Sequence, residues 1–252
     1  MNYLCFRVIP TCRSIMPSGH FKFKQFTVNQ ERAVFKVTTD SVLLGAWADI
    51  ESAGSVLDIG TGTGLLALMA AQRSASRIVA IEPDCDSFLQ AGVNITGSPW
   101  SERITLLNTS VQDYNPEGGA GFDAIITNPP YFIDSLLNPE ENKARARHTV
   151  TLSQADLLEA AGRLLNKGGS LHLVLPVPEA ERFLVLAVSC GFHCIRRMSV
   201  KPTPGQPPSR MLMTLGREKD PCTEEEIVIE KGGRHNYSDE YVSLTKDFYL
   251  KF

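Results

Sequence analysis

The sequence lacks any apolar run of the roughly 18 to 20 residues that a helix needs to cross a lipid bilayer. Its first segment, MNYLCFRVIPTCRSIM, carries arginine and no acid, but it also lacks the continuous apolar core of a secretory signal. These two absences predict a soluble, cytoplasmic protein with no membrane partner. The oligomeric state stays open at this stage, with a monomer as the expectation.

Paired cysteines are also missing. The chain has six cysteines, and none forms a C-x-x-C pair or stands at a zinc-like spacing from a histidine: Cys5, Cys12, Cys85, Cys190, Cys194 and Cys222. No metal site is therefore predicted. The cysteines are expected to be reduced, as in the interior of a cell.

Positive charge is not in excess. The chain carries 25 lysines and arginines against 28 aspartates and glutamates, a formal net charge of −3 at pH 7. A protein without a general basic coat can contact nucleic acid only through a local patch. Internal repeats and low-complexity tracts are absent as well, which argues against a solenoid or a long disordered arm.

What the sequence does contain is a regular alternation of strand-like and helix-like segments. The chain has 252 residues, of which 43% are hydrophobic, enough for a substantial core. From position 55 onward, apolar runs such as SVLDIG, RIVAIEP and FDAIIT alternate with helical patterns such as GLLALMAAQRS and SQADLLEAAGRLL. This alternation predicts an α/β fold, a mostly parallel sheet with helices on both faces.

The expected organisation is one domain, residues 21–252, preceded by a flexible extension, residues 1–20. Residues 21–50, hereafter the N-terminal lid, are predicted to form a strand pair and then a short helix with Asp40 at its N-cap. Further on, Ser153 is expected to cap a helix, and the glycines of NKGG, residues 166–169, are expected to end it.

Three glycines stand at alternate positions in VLDIGTGTG, residues 56–64: Gly60, Gly62 and Gly64. They lie between a predicted strand and a predicted helix, where glycine lets the backbone turn sharply and approach a ligand closely. The spacing differs from the G-x-G-x-x-G fingerprint of dinucleotide-binding proteins. A tight turn without a ligand therefore remains an alternative for this segment taken alone.

Acidic residues follow consecutive predicted strands. Glu82 ends the second strand about 20 residues beyond the glycines, where a carboxylate can accept hydrogen bonds from both hydroxyls of a ribose. Asp113 follows the third strand and could accept from an adenine amine, whereas Asp58 could orient the glycine loop or reach a ligand amino group. This set suits a positively charged nucleoside better than a pyrophosphate.

The segment NPPY, Asn128 to Tyr131, ends the fourth predicted strand. Pro129 and Pro130 cannot donate to a sheet ladder, so they turn the backbone away and leave carbonyl groups free at the carboxyl edge of the sheet. The Asn128 side-chain oxygen and the Pro129 carbonyl can then accept both protons of a planar amine. Tyr131 offers a ring on which the plane carrying that amine can stack.

Together, VLDIGTGTGLLAL, Glu82, Asp113 and NPPY resemble the Rossmann-type methyltransferases that use S-adenosylmethionine. The resemblance implies a Rossmann-like sheet of seven strands whose last strand is antiparallel. It also implies a catalytic amine site formed by Asn128, Pro129, Pro130 and Tyr131. The residues implied to bind the cofactor are Asp58, Gly60, Gly62, Gly64, Glu82, Asp113 and Asn128.

The NPPY motif fixes an amine but not a substrate. Over nearly the whole chain, from about position 21, segments such as FKQFTVNQERAVFKVTTDSVLLGAWA and NYSDEYVSLTKDFYL resemble bacterial tRNA methyltransferases that modify adenine N6 beside the anticodon of valine tRNA. That resemblance implies that Lys36 to Asp40 lie over the cofactor, with Thr39 and Asp40 near its amino-acid end. This family often has Gly-Thr-Asp-Gly where the present chain has Thr38-Thr39-Asp40-Ser41.

Two alternatives stay open. One is a methyltransferase that acts on a protein glutamine or on guanine N2 of ribosomal RNA; the other is a non-catalytic RNA-binding protein with the same fold. Basic residues near the predicted cleft are candidates for contact with tRNA phosphates. They are Lys22 and Lys24 in the lid, and Lys143, Arg145 and Arg147 after the NPPY motif.

Overall fold

The computed structural model describes residues 19–33, 35–130 and 152–252. The strands are β1 (His20–Lys22), β2 (Thr27–Asn29), β3 (Ser55–Ile59), β4 (Arg77–Ile81), β5 (Ile104–Leu107), β6 (Phe122–Thr127), β7 (Leu165–Pro176), β8 (His193–Lys201), β9 (Arg210–Gly216) and β10 (Thr223–Val228). The α-helices of these ranges are α1 (Thr39–Trp47), α2 (Leu65–Arg73), α3 (Cys85–Thr96), α4 (Gln154–Leu164), α5 (Val177–Ser189) and α6 (Asp239–Thr245).

Strands β3 to β10 form one sheet of eight strands in the order β10-β8-β9-β7-β6-β3-β4-β5. Every neighbouring pair is parallel except those of β9, which runs antiparallel to both β7 and β8. The predicted mostly parallel sheet is therefore confirmed, and its one antiparallel strand is β9, the seventh of the sheet in chain order.

The expected count of seven strands is wrong by one, because β10 adds a further strand beside β8. Three consecutive glutamates of β10 each face a cation on β8. The pairs are Glu224 with Arg197, Glu225 with Arg196, and Glu226 with Lys201. Such half-exposed ion pairs contribute little energy singly, but together they match the charge of the added strand to that of its neighbour.

Helices cover both faces of the sheet, as the alternation predicts. One core contains buried side chains of α1, α2, α3 and α6, and the other contains those of α4 and α5. Successive strand residues point to opposite faces. Val56 accordingly lies in the first core and Leu57 in the second, and Ile126 and Ile125 divide in the same way.

The lid begins as an antiparallel hairpin of β1 and β2. Its aromatic residues pack against the C-terminal segment, where the rings of Phe23 and Tyr249 stack with centroids 6.1 Å apart. The predicted N-cap Asp40 is wrong: helix α1 starts two residues earlier than that cap implies, and Thr38 is its N-cap. The hydroxyl of Thr38 accepts from the Ser41 amide at 3.2 Å, which leaves Asp40 in the first turn.

Helix α4 begins as predicted but ends differently. Ser153 caps it in a reciprocal capping box with Asp156. The helix ends at Leu164 and passes directly into β7, so NKGG is not its C-cap. Instead, NKGG interrupts the pairing of β7 with β6, where the register shifts between Leu165 and Ser170.

Candidate active site

A cleft of about 1310 Å³, including its open mouth, lies at the carboxyl edge of the sheet. The loops that follow β3, β4, β5 and β6 form its floor and walls, and residues of the lid form one side. This edge is where open α/β sheets bind ligands, because the loops after parallel strands converge there.

The glycine loop after β3 contributes Gly60 and Gly62 to the cleft. The φ angles of Gly60, Gly62 and Gly64 are +68°, +56° and +83°, in the left-handed region that favours glycine. A side-chain carbon placed on Gly60 or Gly62 would meet no atom within 4 Å. Space for a ligand therefore exists directly against this backbone.

Asp58 lies beneath the glycine loop and is fully buried. One carboxylate oxygen accepts from the Thr61 hydroxyl and from the amide of Ala67, the latter at 3.0 Å. The other oxygen is buried and has no hydrogen-bond partner among the described residues. Burial raises the pKa of Asp58 to about 7, with a smaller contribution from the charge of Glu82. These contacts orient the loop and the first turn of α2.

Glu82 stands at the end of β4 and lines the cleft. Its two carboxylate oxygens accept from the amides of Gly62 at 2.8 Å and of Asp84 at 3.0 Å. Burial raises the pKa of Glu82, and the nearby Asp84 charge adds to the shift. Each carboxylate oxygen has a second lone pair, so this fixed carboxylate can still accept two ligand hydroxyls.

Asp113 is exposed and is not among the residues that line the cleft. Its carboxylate accepts from the Ser110 hydroxyl at 2.6 Å, and its amide donates back to the same hydroxyl oxygen at 3.2 Å. Ser110 and Gln112 of this loop face the cleft instead. A role for Asp113 in cofactor binding stays a prediction.

Asn128, Pro129 and Pro130 line the cleft after β6, the strand next to the one that precedes the glycine loop. The Asn128 side-chain amide donates to the Ser41 hydroxyl at 2.8 Å. This contact occupies the nitrogen end of the amide, and the oxygen end has no hydrogen bond among the described residues. Tyr131 lies outside the described residues.

The start of α1 meets the cleft through Thr38 and Ser41, whereas Thr39 and Asp40 are not among the lining residues. The Asp40 carboxylate pairs with the Arg210 guanidinium at 2.8 Å, which ties α1 to the start of β9. The implied contact of Thr39 and Asp40 with a cofactor stays a prediction.

The two basic lid residues differ in their surroundings. Lys24 donates to two backbone carbonyls near the C-terminus, those of Lys246 at 2.5 Å and Phe252 at 2.8 Å. Its ammonium group therefore fastens the lid to the C-terminal segment, while Lys22 is exposed. The remaining candidates, Lys143, Arg145 and Arg147, lie outside the described residues.

Sequence reasoning missed several residues of the cleft. Phe35 is 57% exposed, and it lines the cleft beside the exposed Lys36. Ser41 was noted only as a departure from a family motif, although it contacts Asn128. The resemblance already places Lys36 over the cofactor, and an aromatic residue next to that cation was the one signal that could have drawn attention to Phe35. Among the described residues, no cluster of acids, histidines or cysteines could hold a metal ion.

The cleft has both the hydrogen-bond acceptor and the open space beside the glycine loop that S-adenosylmethionine requires. A fixed carboxylate at Glu82 suits a ribose, and a glycine backbone without side chains admits a close ligand. Residues 25–184 match the family described as Methyltransferase small domain. The fold and the cleft thus define a Rossmann-like, S-adenosylmethionine-dependent methyltransferase.

Curated relatives narrow this class. The chain is 44% identical over 237 residues to the tRNA1(Val) (adenine(37)-N6)-methyltransferase of Bacteroides fragilis (strain YCH46), covering 94% of this chain and 100% of the relative. The protein of the same name from Trichodesmium erythraeum (strain IMS101) is 44% identical over 240 residues, with the same two coverages. The chain belongs to the family of tRNA1(Val) (adenine(37)-N6)-methyltransferases.

A solved structure supports the fold alone. The crystal structure of a predicted O-methyltransferase from Agrobacterium tumefaciens superposes with a TM-score of 0.61 at 19% identity, covering 83% of this chain and 96% of that chain. None of the helices in the described ranges has the length and apolarity that a membrane span requires.

Proposed function

We propose that the protein transfers a methyl group from S-adenosylmethionine to N6 of adenine 37 in tRNA1(Val), the reaction named for its relatives. One observation carries the chemical part of this proposal: the amide of Asn128 lines the same cleft as the glycine loop and Glu82. The same cavity therefore contains the Glu82 carboxylate, which can bind the ribose of a nucleoside, and the Asn128 amide oxygen, which can accept from an amine.

The residues that would hold the cofactor are those of the first wall. Glu82 would accept from the ribose hydroxyls, and Gly60 and Gly62 would allow the backbone to lie against the ligand. Asp58 would act from below by keeping the loop in place. When bound, S-adenosylmethionine supplies a methyl group on a positively charged sulfur, which makes that methyl electrophilic.

The amine site would be formed by Asn128 and Pro129. The lone pair of an adenine amine is delocalised into the ring, and the nitrogen becomes tetrahedral and positive as it bonds to the methyl carbon. The bond from that carbon to sulfur would break in the same step, leaving a neutral thioether, and the nitrogen would then lose one proton to solvent. The Asn128 oxygen and the Pro129 carbonyl would accept hydrogen bonds from the two N–H groups of the amine. These hydrogen bonds would strengthen as the positive charge on nitrogen grows. Hydrogen bonds to a charged group contribute about 1.5 to 3 kcal/mol each. No strong base is needed, and Tyr131 would stack on the adenine plane.

Contacts to tRNA would come from local charge. Lys22 and the basic residues Lys143, Arg145 and Arg147 are the proposed phosphate contacts, and Lys36 joins them because it is exposed at the cleft. Lys24 is less suited, since its ammonium group already has two carbonyl partners. A tRNA substrate also implies a cytoplasmic location for the enzyme.

The test is methyl transfer from labelled S-adenosylmethionine to an unmodified transcript of tRNA1(Val), compared with the same transcript carrying guanine at position 37. We expect label only in the first transcript, recovered as N6-methyladenosine after digestion. Label in ribosomal RNA guanine or in a release-factor glutamine would contradict the proposal. RNA binding without cofactor affinity or methyl transfer would contradict it as well.

A further inference from the structure

We infer that Ser41 is a positioning residue, which holds the Asn128 side chain so that its oxygen, and not its nitrogen, faces the amine of the substrate. The inference rests on the proposed function, and it adds a residue to that site. Three hydroxyl and amide groups form a continuous chain at the start of α1: the hydroxyls of Thr38 and Ser41, and the amide of Asn128.

The distances support a hydrogen-bonded relay. The Asn128 amide nitrogen lies 2.8 Å from the Ser41 hydroxyl, and the Ser41 hydroxyl lies 3.1 Å from that of Thr38. The Ser41 main-chain amide also donates to the Thr38 hydroxyl at 3.2 Å. When Asn128 donates to Ser41 and Ser41 donates to Thr38, each bond has one proton, the Ser41 hydroxyl both accepts and donates, and the Thr38 hydroxyl accepts.

Orientation matters because an asparagine side chain is chemically different at its two ends. Its oxygen accepts hydrogen bonds, whereas its nitrogen only donates them. Rotation by half a turn about the last side-chain bond would place two donors, the Asn128 amide and the substrate amine, against each other. The hydrogen bond from the Ser41 hydroxyl to Thr38 opposes that rotation, since the rotated amide would present its oxygen to Ser41 and the Ser41 proton would have to leave Thr38.

The hydrogen bonds between Thr38, Ser41 and Asn128 connect the orientation of Asn128 to the N-terminal lid. Thr38 is the N-cap of α1, and Ser41 lies in its first turn. The hydroxyl that orients Asn128 is therefore held by the lid, whereas Asn128 follows a central strand of the sheet. Formation of the α1 N-terminus and readiness of the amine site are consequently linked.

The experiment compares Ser41→Ala in two backgrounds. In the otherwise unchanged protein, we expect kcat for methyl transfer to tRNA1(Val) to fall about 3- to 10-fold, the factor that corresponds to one net hydrogen bond. Cofactor affinity by calorimetry should change less than two-fold, about the measurement error. Ser41→Thr keeps the hydroxyl and should restore kcat. Ser189→Ala on α5, a helical serine outside the cleft, is the matched control.

The second background is Asn128→Asp. A carboxylate accepts at both oxygens, so it has no wrong orientation, and Ser41→Ala should then lower kcat by a smaller factor than it does in the first background. An equal loss in both backgrounds, or no loss in the first, would overturn the inference. A purely structural role of Ser41 would give the equal loss.

A spectroscopic measurement keeps the inference independent of the proposed function. In 15N-labelled protein, the side-chain amide signal of Asn128, assigned by its absence in Asn128→Asp, should shift and exchange faster in Ser41→Ala than in Ser189→Ala. An unchanged signal would overturn the inference even in an active enzyme. A clear shift in a protein that methylates no tRNA would instead defeat the proposed function and leave the positioning contact standing.

Discussion

The Thr127 hydroxyl donates a hydrogen bond to the Ile59 carbonyl oxygen at 2.8 Å. Thr127 is the last residue of β6 and Ile59 is the last residue of β3, and both are buried. The backbone pairing of the two strands ends at Asp58 and Ile126, and this side-chain hydrogen bond connects the next residue of each strand. It joins the strand end that precedes the glycine loop to the one that precedes Asn128.

Thr127→Val removes this link with little change in shape. The Ile59 carbonyl loses a buried partner, which should cost about 1 to 3 kcal/mol of unfolding free energy. We also expect kcat to fall more than cofactor affinity, because the two walls of the cleft are no longer held together. Thr245→Val is the matched control: its buried hydroxyl donates to the Tyr241 carbonyl at 2.7 Å, far along the chain. Equal effects of both variants on kcat would contradict this account.

Glu82→Ala should chiefly weaken the cofactor. The ribose hydroxyls lose the carboxylate that would accept from them, and the amides of Gly62 and Asp84 lose their acceptor. With about 1.5 to 3 kcal/mol for each hydrogen bond to a charged group, cofactor Kd should rise about 10- to 100-fold by calorimetry. Glu102→Ala, at an exposed position of the same chain, serves as control. An unchanged Kd for Glu82→Ala would exclude the carboxylate from the cofactor site.

Gly62→Ala tests the cleft side of the glycine loop. The φ of +56° makes alanine strained there, at a cost of roughly 1 to 2 kcal/mol in stability. Gly118→Ala carries similar strain at φ +68°, also with no atom near the added carbon, but it does not line the cleft. Both variants should therefore lose comparable stability in urea unfolding, while only Gly62→Ala should bind cofactor more weakly. Equal cofactor binding by the two variants would place the ligand elsewhere.

The raised pKa of Asp58 predicts a pH dependence of stability. The folded carboxyl has a pKa of about 7 against an ordinary value of 3.8, so between these values the folded state keeps a proton that the unfolded state has lost. Raising the pH through this window should therefore destabilise the folded protein. The limiting slope for one proton is about 1.4 kcal/mol per pH unit.

Urea unfolding of the unchanged protein and of Asp58→Asn, from about pH 5 to about pH 8, measures this slope. The stability advantage of the unchanged protein over the variant should fall as the pH rises and level off above the folded pKa. Asp123→Asn is the control: hydrogen bonds from Asn166 and Ser55 lower the Asp123 pKa, so it is ionised in both states throughout the range. A pH-independent difference for Asp58→Asn would mean that Asp58 is ionised in the fold.

Residues that directly follow a strand, and the glycines marked by their alternate spacing, could be placed from sequence, whereas other loop residues could not. Glu82 and Asn128 directly follow buried strands, so their backbone direction was determined by the sheet. Asp113 sits in a turn, where its bond to Ser110 turns it out of the cleft and leaves Gln112 facing inward. A sequence pattern does not indicate which of two neighbouring loop side chains faces the cleft.

Contacts between distant segments were the other limit. Ser41 and Asn128 are 87 positions apart, and nothing in the local pattern of either indicates the other. The segment EEIVIE reads as a strand from sequence, but the pairing of β10 with β8, which makes it the eighth strand of the sheet, joins segments that are distant in the chain. The N-cap of α1 was predicted at the wrong residue for a related reason. Thr38 and Asp40 are both acceptable N-cap residues, and only the backbone conformation determines which of them caps the helix.

The most direct test of the central claim is a paired measurement on Asn128→Ala, with methyl transfer to tRNA1(Val) and S-adenosylmethionine binding determined on the same preparation. Loss of the amide acceptor should abolish transfer, while S-adenosylmethionine, which we propose is held mainly by the glycine loop and Glu82, should bind with a nearly unchanged Kd. Normal turnover by Asn128→Ala would contradict the claim that this residue receives the substrate amine.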